Sequence, residues 1–142
     1  GAIDFFGPTD LLAMQSQMSP DGAMDHDSAE SPESRLVGGP VQERREIARS
    51  ASPIEFVDPT DPPLLVVHGD QDRLVPIGQS EELVRRIRRS DGSVVFLEIE
   101  GGGHGGFRNP LIHQAVRRFL EHHLHGVGAP PRSATLPNSP EG

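Results

Sequence analysis

Two aspartates and one histidine follow strand-like runs in this chain and could form part of a proton relay. Asp70 and Asp72 come directly after the apolar run of residues 64–68, and His104 comes after a second run, residues 94–99. A carboxylate that accepts the Nδ1 proton of an imidazole orients the ring, which then acts first as a general base and later as a general acid. This is the acid and base half of a Ser-His-Asp triad.

Pattern alone leaves two alternatives open at these residues. Five glycines surround His104 in residues 101–106, and such a loop can fold tightly enough to bring a side chain over a sheet edge. A flexible turn with an incidental histidine is an equally good interpretation. Spacing does not decide between Asp70 and Asp72 either, since both follow the same strand and either carboxylate can instead bind loop amides, as aspartates in turns do.

The elements that must position these residues follow a strand, helix, strand, helix order. Residues 64–68 predict a strand buried on both faces, residues 78–89 an amphipathic helix, and residues 94–99 a second strand. Asn109 as N-cap and Pro110 at the first helical position predict a last helix that ends at Gly126. The fold class is therefore α/β, a mostly parallel sheet with flanking helices, whose right-handed crossovers place both strand ends at one edge.

The rest of the chain carries weaker signals. Residues 2–6 predict a short buried strand closed by a Gly-Pro turn. Residues 13–50 contain a polar, acidic stretch and are interpreted as a surface excursion or a cap. Residues 127–142, which contain four prolines, are predicted to be a disordered tail. One domain is accordingly predicted over residues 1–126. His68, at the end of the first central strand, is expected to be a hydrogen-bonded core histidine.

Composition excludes several classes of function. The 142 residues carry a net charge of −8 and no cysteine, which argues against nucleic-acid or anionic-membrane partners and excludes disulfides, thiolate metal sites and cysteine nucleophiles. We expect no cofactor and no metal: the acidic stretch lacks the spacing of a calcium-binding loop, and the cluster His122, His123 and His125 suits a solvated helix end. No signal peptide or transmembrane run is visible, so we expect a soluble protein whose compartment is unknown.

A nucleophile for the relay is absent from the 142 residues. No serine lies in the G-x-S-x-G frame, in which small residues allow the sharp turn from strand into helix that exposes the hydroxyl. The chain also begins at Gly1 and runs directly into an apolar strand. We therefore expect a piece of a longer protein.

Several ordered motifs between residues 1 and 124 resemble the C-terminal half of an α/β-hydrolase of the carboxylesterase and feruloyl-esterase-like type, related to prolyl oligopeptidases. The resemblance rests on residues 4–11 (DFFGPTDL), 33–39 (ESRLVGG), 51–54 (ASPI), 65–72 (LVVHGDQD) with Val75 and Pro76, and 102–107 (GGHGGF). In such enzymes an H-G-x-x-D-x-x-V-P loop, here residues 68–76, supplies the triad acid, which falls on Asp72. The glycine-rich loop supplies the triad histidine, which falls on His104.

The resemblance implies a serine hydrolase that cleaves carboxylic esters through an acyl-serine intermediate. This chain would supply the acid and the histidine. Its expected partners are a small-molecule ester and the missing N-terminal half of the same domain, and the fragment alone would be inactive. A peptidase of the prolyl-oligopeptidase kind and a non-catalytic α/β binding module are the alternatives.

Overall fold

A computed structural model describes residues 1–139 as one four-stranded sheet with helices on both faces. All strands are parallel and pair in the order β1-β2-β3-β4. They are β1 (Ala2–Phe5), β2 (Leu64–Gly69), β3 (Val94–Glu100) and β4 (Ala134–Pro137). The helices are α1 (Met14–Gln17), α2 (Pro32–Val37), α3 (Arg45–Ser50), α4 (Gly78–Arg89) and α5 (Pro110–His125). Two short 3-10 turns lie at Val41–Glu43 and Pro53–Phe56.

Apolar residues of β2 are buried on both faces of the sheet, as the unbroken aliphatic run predicts. On one face, Leu65 and Val67 pack with Phe119 of α5. On the other face, Val66 packs with Leu83 and Ile87, which belong to α4. The two helices therefore pack on β2 from opposite faces of the sheet. This packing fixes the position of the loop that follows β2.

Both long helices have the predicted ends. Helix α4 spans the predicted residues, and the Asn109 side chain accepts a hydrogen bond from the Leu111 amide at 3.0 Å, which caps α5. Gly126 ends α5 with φ of 67°, a left-handed conformation that glycine adopts without steric cost.

The tail from residue 127 differs from the expected disorder. Residues 134–137 form β4, which pairs with the free edge of β3. The amide of Asn138 donates to the Glu100 carbonyl at 3.0 Å, and the side-chain amide of Asn109 donates to the Pro137 carbonyl at 2.8 Å. Pro137 is tolerated because an edge strand leaves one side of its backbone without a partner strand. The last residues, 140–142, lie outside the described range.

Residues 13–50 pack more closely than a surface excursion would. Val37, Val41 and Ala48 form a small core with Leu11. Hydrogen bonds then join the segment to the loop after β2, since the Ala23 amide donates to the Arg73 carbonyl at 2.7 Å and His26 Nε2 lies 2.9 Å from the Leu74 carbonyl. The segment covers the outer side of that loop.

Among residues 1–139, no helix is both long and apolar enough to cross a lipid bilayer.

Candidate active site

The parallel sheet brings the two sequence-predicted residues together. Asp72 lies in the loop from β2 to α4 and His104 in the loop from β3 to α5, and these loops leave the same edge because Gly69 is aligned with Ile99 in the β2–β3 ladder. His104 Nδ1 lies 2.8 Å from Asp72 Oδ2. An ionised carboxylate has no proton to give, so Nδ1–H is the donor and Nε2 carries the lone pair of the neutral ring.

Backbone amides of the same loop hold the Asp72 carboxylate in place. Its Oδ1 atom accepts hydrogen bonds from the amides of Leu74 at 2.8 Å and Val75 at 2.9 Å, which leaves Oδ2 for the imidazole. The Asp72 side chain is fully buried, whereas that of His104 is 34% exposed. No hydrogen bond within residues 1–139 involves His104 Nε2. The arrangement therefore presents a basic nitrogen from a ring whose opposite side is held by a buried anion.

Asp70 does not take part in this contact. Its Oδ1 atom accepts from the Gly101 amide at 2.7 Å, which fastens the loop after β3 to the loop after β2. Of the two carboxylates that spacing left open, only Asp72 contacts His104 in the structure.

Phe6 is a part of the site that sequence reasoning missed. Its ring centroid lies 4.4 Å from that of His104 and 5.9 Å from that of Phe107. The backbone of Phe6 has φ of 47°, which is unusual for a bulky residue and carries strain. This conformation at the end of β1 directs the ring toward the imidazole. The Phe-Phe-Gly-Pro turn marks a strand end, but no sequence pattern reports a left-handed phenylalanine.

Close backbone contact also joins the two loops. A Cβ added to Gly69 would lie 2.2 Å from the Gly102 carbonyl oxygen and 2.7 Å from that of Gly103. The Gln71 amide donates to the same Gly102 carbonyl at 2.8 Å. Position 69 therefore requires glycine for space, since its neighbours there are backbone atoms rather than movable side chains.

We expect Gly69→Ala to destabilise the chain by about 1–3 kcal/mol, because the added methyl group must displace the loop that carries His104. Gly103→Ala is the matched control: a Cβ there meets no atom within 4 Å. Denaturant unfolding of the two variants measures the difference. Equal stability of the two variants would show that the loop of residues 101–106 can move away from position 69 without loss of free energy of unfolding.

Comparison with known proteins shows the family and the fold of this chain. The family model named BD-FAE, an esterase family, matches residues 1–87, more than half of the chain. This chain belongs to the BD-FAE family. Its fold is that of the α/β-hydrolases, of which the four strands represent a part.

Relatives of this BD-FAE chain include esterases. It is 39% identical over 91 residues to Esterase LipC of Mycobacterium tuberculosis (strain ATCC 25618 / H37Rv), an alignment that covers 60% of this chain and 23% of LipC. The chain thus spans about a quarter of the length of that curated relative.

Solved structures extend the likeness to most of the chain. A truncated carbohydrate esterase from gut microbiota superposes with a TM-score of 0.72 at 33% identity, covering 87% of this chain and 42% of that one. A puromycin-hydrolyzing peptidase of Mycobacterium tuberculosis superposes with a TM-score of 0.67 at 22% identity, covering 96% of this chain and 20% of the peptidase. At that identity the second likeness concerns the fold alone.

Proposed function

We propose that this chain supplies the triad acid, Asp72, and the general base, His104, of a serine esterase. The observation that carries the proposal is the 2.8 Å contact between a fully buried carboxylate and a partly exposed imidazole at the carboxyl edge of a parallel sheet. The site uses no cofactor or metal in this proposal, and its substrate is a small-molecule carboxylic ester. Membership of an esterase family and the likeness to LipC support this reaction class.

The chemistry follows from the positions of the two ring nitrogens. His104 Nε2 takes the proton of a serine hydroxyl as the serine oxygen attacks the ester carbonyl, and Asp72 stabilises the imidazolium through Nδ1–H. The imidazolium then protonates the leaving alkoxide, which departs as the alcohol and leaves an acyl-serine. Water, deprotonated by the same nitrogen, attacks the acyl group, and the carboxylic acid leaves as the serine regains its proton.

The serine in this proposal comes from a segment outside the 142 residues, the rest of the same hydrolase domain. Two observations support a further segment beside β1. Within residues 1–139, β1 pairs only with β2 and leaves its other edge free. Beside it lies a cavity of about 470 Å³ with apolar walls from Phe56, Leu83 and Ile87, which suits packing of further apolar chain.

Labelling of the longer enzyme with a fluorophosphonate probe tests the proposal. We expect the probe to modify one serine outside residues 1–142, and His104→Ala to abolish both labelling and hydrolysis of a p-nitrophenyl ester. His113→Ala, which changes an exposed histidine of α5, should leave both unchanged.

Three results would contradict the assignment. Labelling that persists at full rate in His104→Ala would remove His104 from the reaction. Faster hydrolysis of an amide substrate than of the p-nitrophenyl ester would favour a peptidase. The absence of any probe-reactive serine in the longer enzyme would favour a non-catalytic binding module.

A further inference from the structure

A second imidazole, at the end of β2, lies against the same carboxylate as His104. His68, the fifth residue of β2, is completely buried. Its Nε2 atom lies 2.9 Å from the Val75 carbonyl oxygen and 3.3 Å from Asp72 Oδ2, the oxygen that also binds His104. Two imidazoles therefore approach one carboxylate oxygen, and the reaction described above uses only one of them.

Hydrogen bonds on both sides of the His68 ring define its tautomer. The Val75 carbonyl can only accept, so the proton is on Nε2. On the opposite side, Nδ1 lies 2.6 Å from the hydroxyl oxygen of Ser80, which is buried in the first turn of α4 and must donate there. Ser80, His68, Asp72 and His104 thus form a chain of contacts from α4 to the exposed imidazole.

Burial disfavours the charged form of this ring. Burial lowers the pKa of His68 below its ordinary value, against the attraction of Asp72 and of Asp4 on β1 and with the repulsion of His104. Asp72 Oδ2 therefore lies against one imidazole that is fully buried and against a second, His104, that is partly exposed.

We propose that His68 is a positioning residue for the triad: its Nε2–H holds the Val75 carbonyl and its ring lies against Asp72 Oδ2, so that the carboxylate is fixed between the Val75 backbone and His104. The inference rests on the proposed function, because it concerns the same acid and base.

His68→Leu, His68→Gln and Ser80→Ala in the longer enzyme test this role. We expect His68→Leu to lower kcat by about 10- to 100-fold with a small change in KM, because the carboxylate loses its alignment. The acid limb of the kcat/KM profile should move to lower pH, since a displaced carboxylate stabilises the His104 imidazolium less. His68→Gln, whose amide can still donate near Val75, should recover most of kcat, and Ser80→Ala should fall between them.

Rescue by His68→Gln separates positioning from mere support of the fold. Failure of folded His68→Gln to recover kcat would overturn the inference, and so would an acid limb that stays in place in His68→Leu while kcat falls. An unchanged kcat in folded His68→Leu would overturn it as well, and if that variant fails to fold, the pH profiles of His68→Gln and Ser80→Ala decide. His104→Ala in the same enzyme shows which idea fails: if it keeps full activity, the proposed function itself is wrong.

Discussion

Asp72→Asn in the longer enzyme is expected to lower kcat by about four orders of magnitude, the loss found when the acid of a Ser-His-Asp triad becomes an amide. The reason lies in the two oxygens of Asp72. Oδ1 accepts hydrogen bonds from the amides of Leu74 and Val75, so Oδ2 is the atom that faces His104 Nδ1. In Asp72→Asn the side-chain amide nitrogen takes the place of Oδ2. An amide nitrogen at that position donates rather than accepts, which forces the proton of His104 onto Nε2 and removes the base.

Asp70→Asn is the matched control for this substitution. Its contact, the Gly101 amide on Oδ1, survives in an asparagine whose carbonyl oxygen takes the same place. We expect a loss of less than about tenfold, since the variant changes a loop contact and leaves the relay intact. Steady-state hydrolysis of a p-nitrophenyl ester by the two variants measures the contrast. Equal losses, or a larger loss in Asp70→Asn, would show that the wrong carboxylate has been assigned.

The 142-residue chain by itself is expected to show no His104-dependent ester hydrolysis. The relay activates a nucleophile, and no serine of this chain lies in a G-x-S-x-G turn. The background is the hydrolysis that any exposed imidazole gives. We therefore expect the wild-type chain and its His104→Ala variant to differ by no more than the contribution of one free histidine, measured with the same p-nitrophenyl ester.

Addition of the serine-bearing segment should restore the reaction. A protein that joins this chain to that segment is expected to gain the His104-dependent rate, because the two halves share one sheet in the proposed domain. Turnover by the 142-residue chain that is lost in His104→Ala would contradict the prediction and would mean that a nucleophile lies within the 142 residues.

The sequence predicts those helices and strands whose conformation is set by the residues of the segment itself. The strand, helix, strand, helix order of residues 64–125 follows from apolar periodicity and from caps such as Asn109, and it suffices to place the loops of Asp72 and His104 at one edge. Strand β4 is different. Residues 134–137 are a short segment with a proline, and they are extended because β3 offers an unpaired edge and because Asn109 and Glu100 bind the flanking backbone. Such support is not visible in the segment itself.

Within the site, the sequence predicts which residues lie near each other better than it predicts their contacts. The choice of Asp72 over Asp70 comes from resemblance, since their spacing from the strand differs by only two residues. The contact of His68 with Asp72 depends on how the loop turns back over the strand end. The position of the Phe6 ring depends on a left-handed backbone. In each case, tertiary contacts select a conformation that local propensity does not favour.

The strand order of the sheet has a consequence for synthesis on the ribosome. Because β1, β2, β3 and β4 are neighbours in the order in which they are translated, each strand that emerges finds its partner already present at the growing edge. Asp72 and His104 can therefore meet as soon as the loop after β3 has left the exit tunnel, before residues 134–137 have emerged. Strand β4 then covers the edge of β3, and Pro137 makes the new edge a poorer template for pairing with other nascent chains.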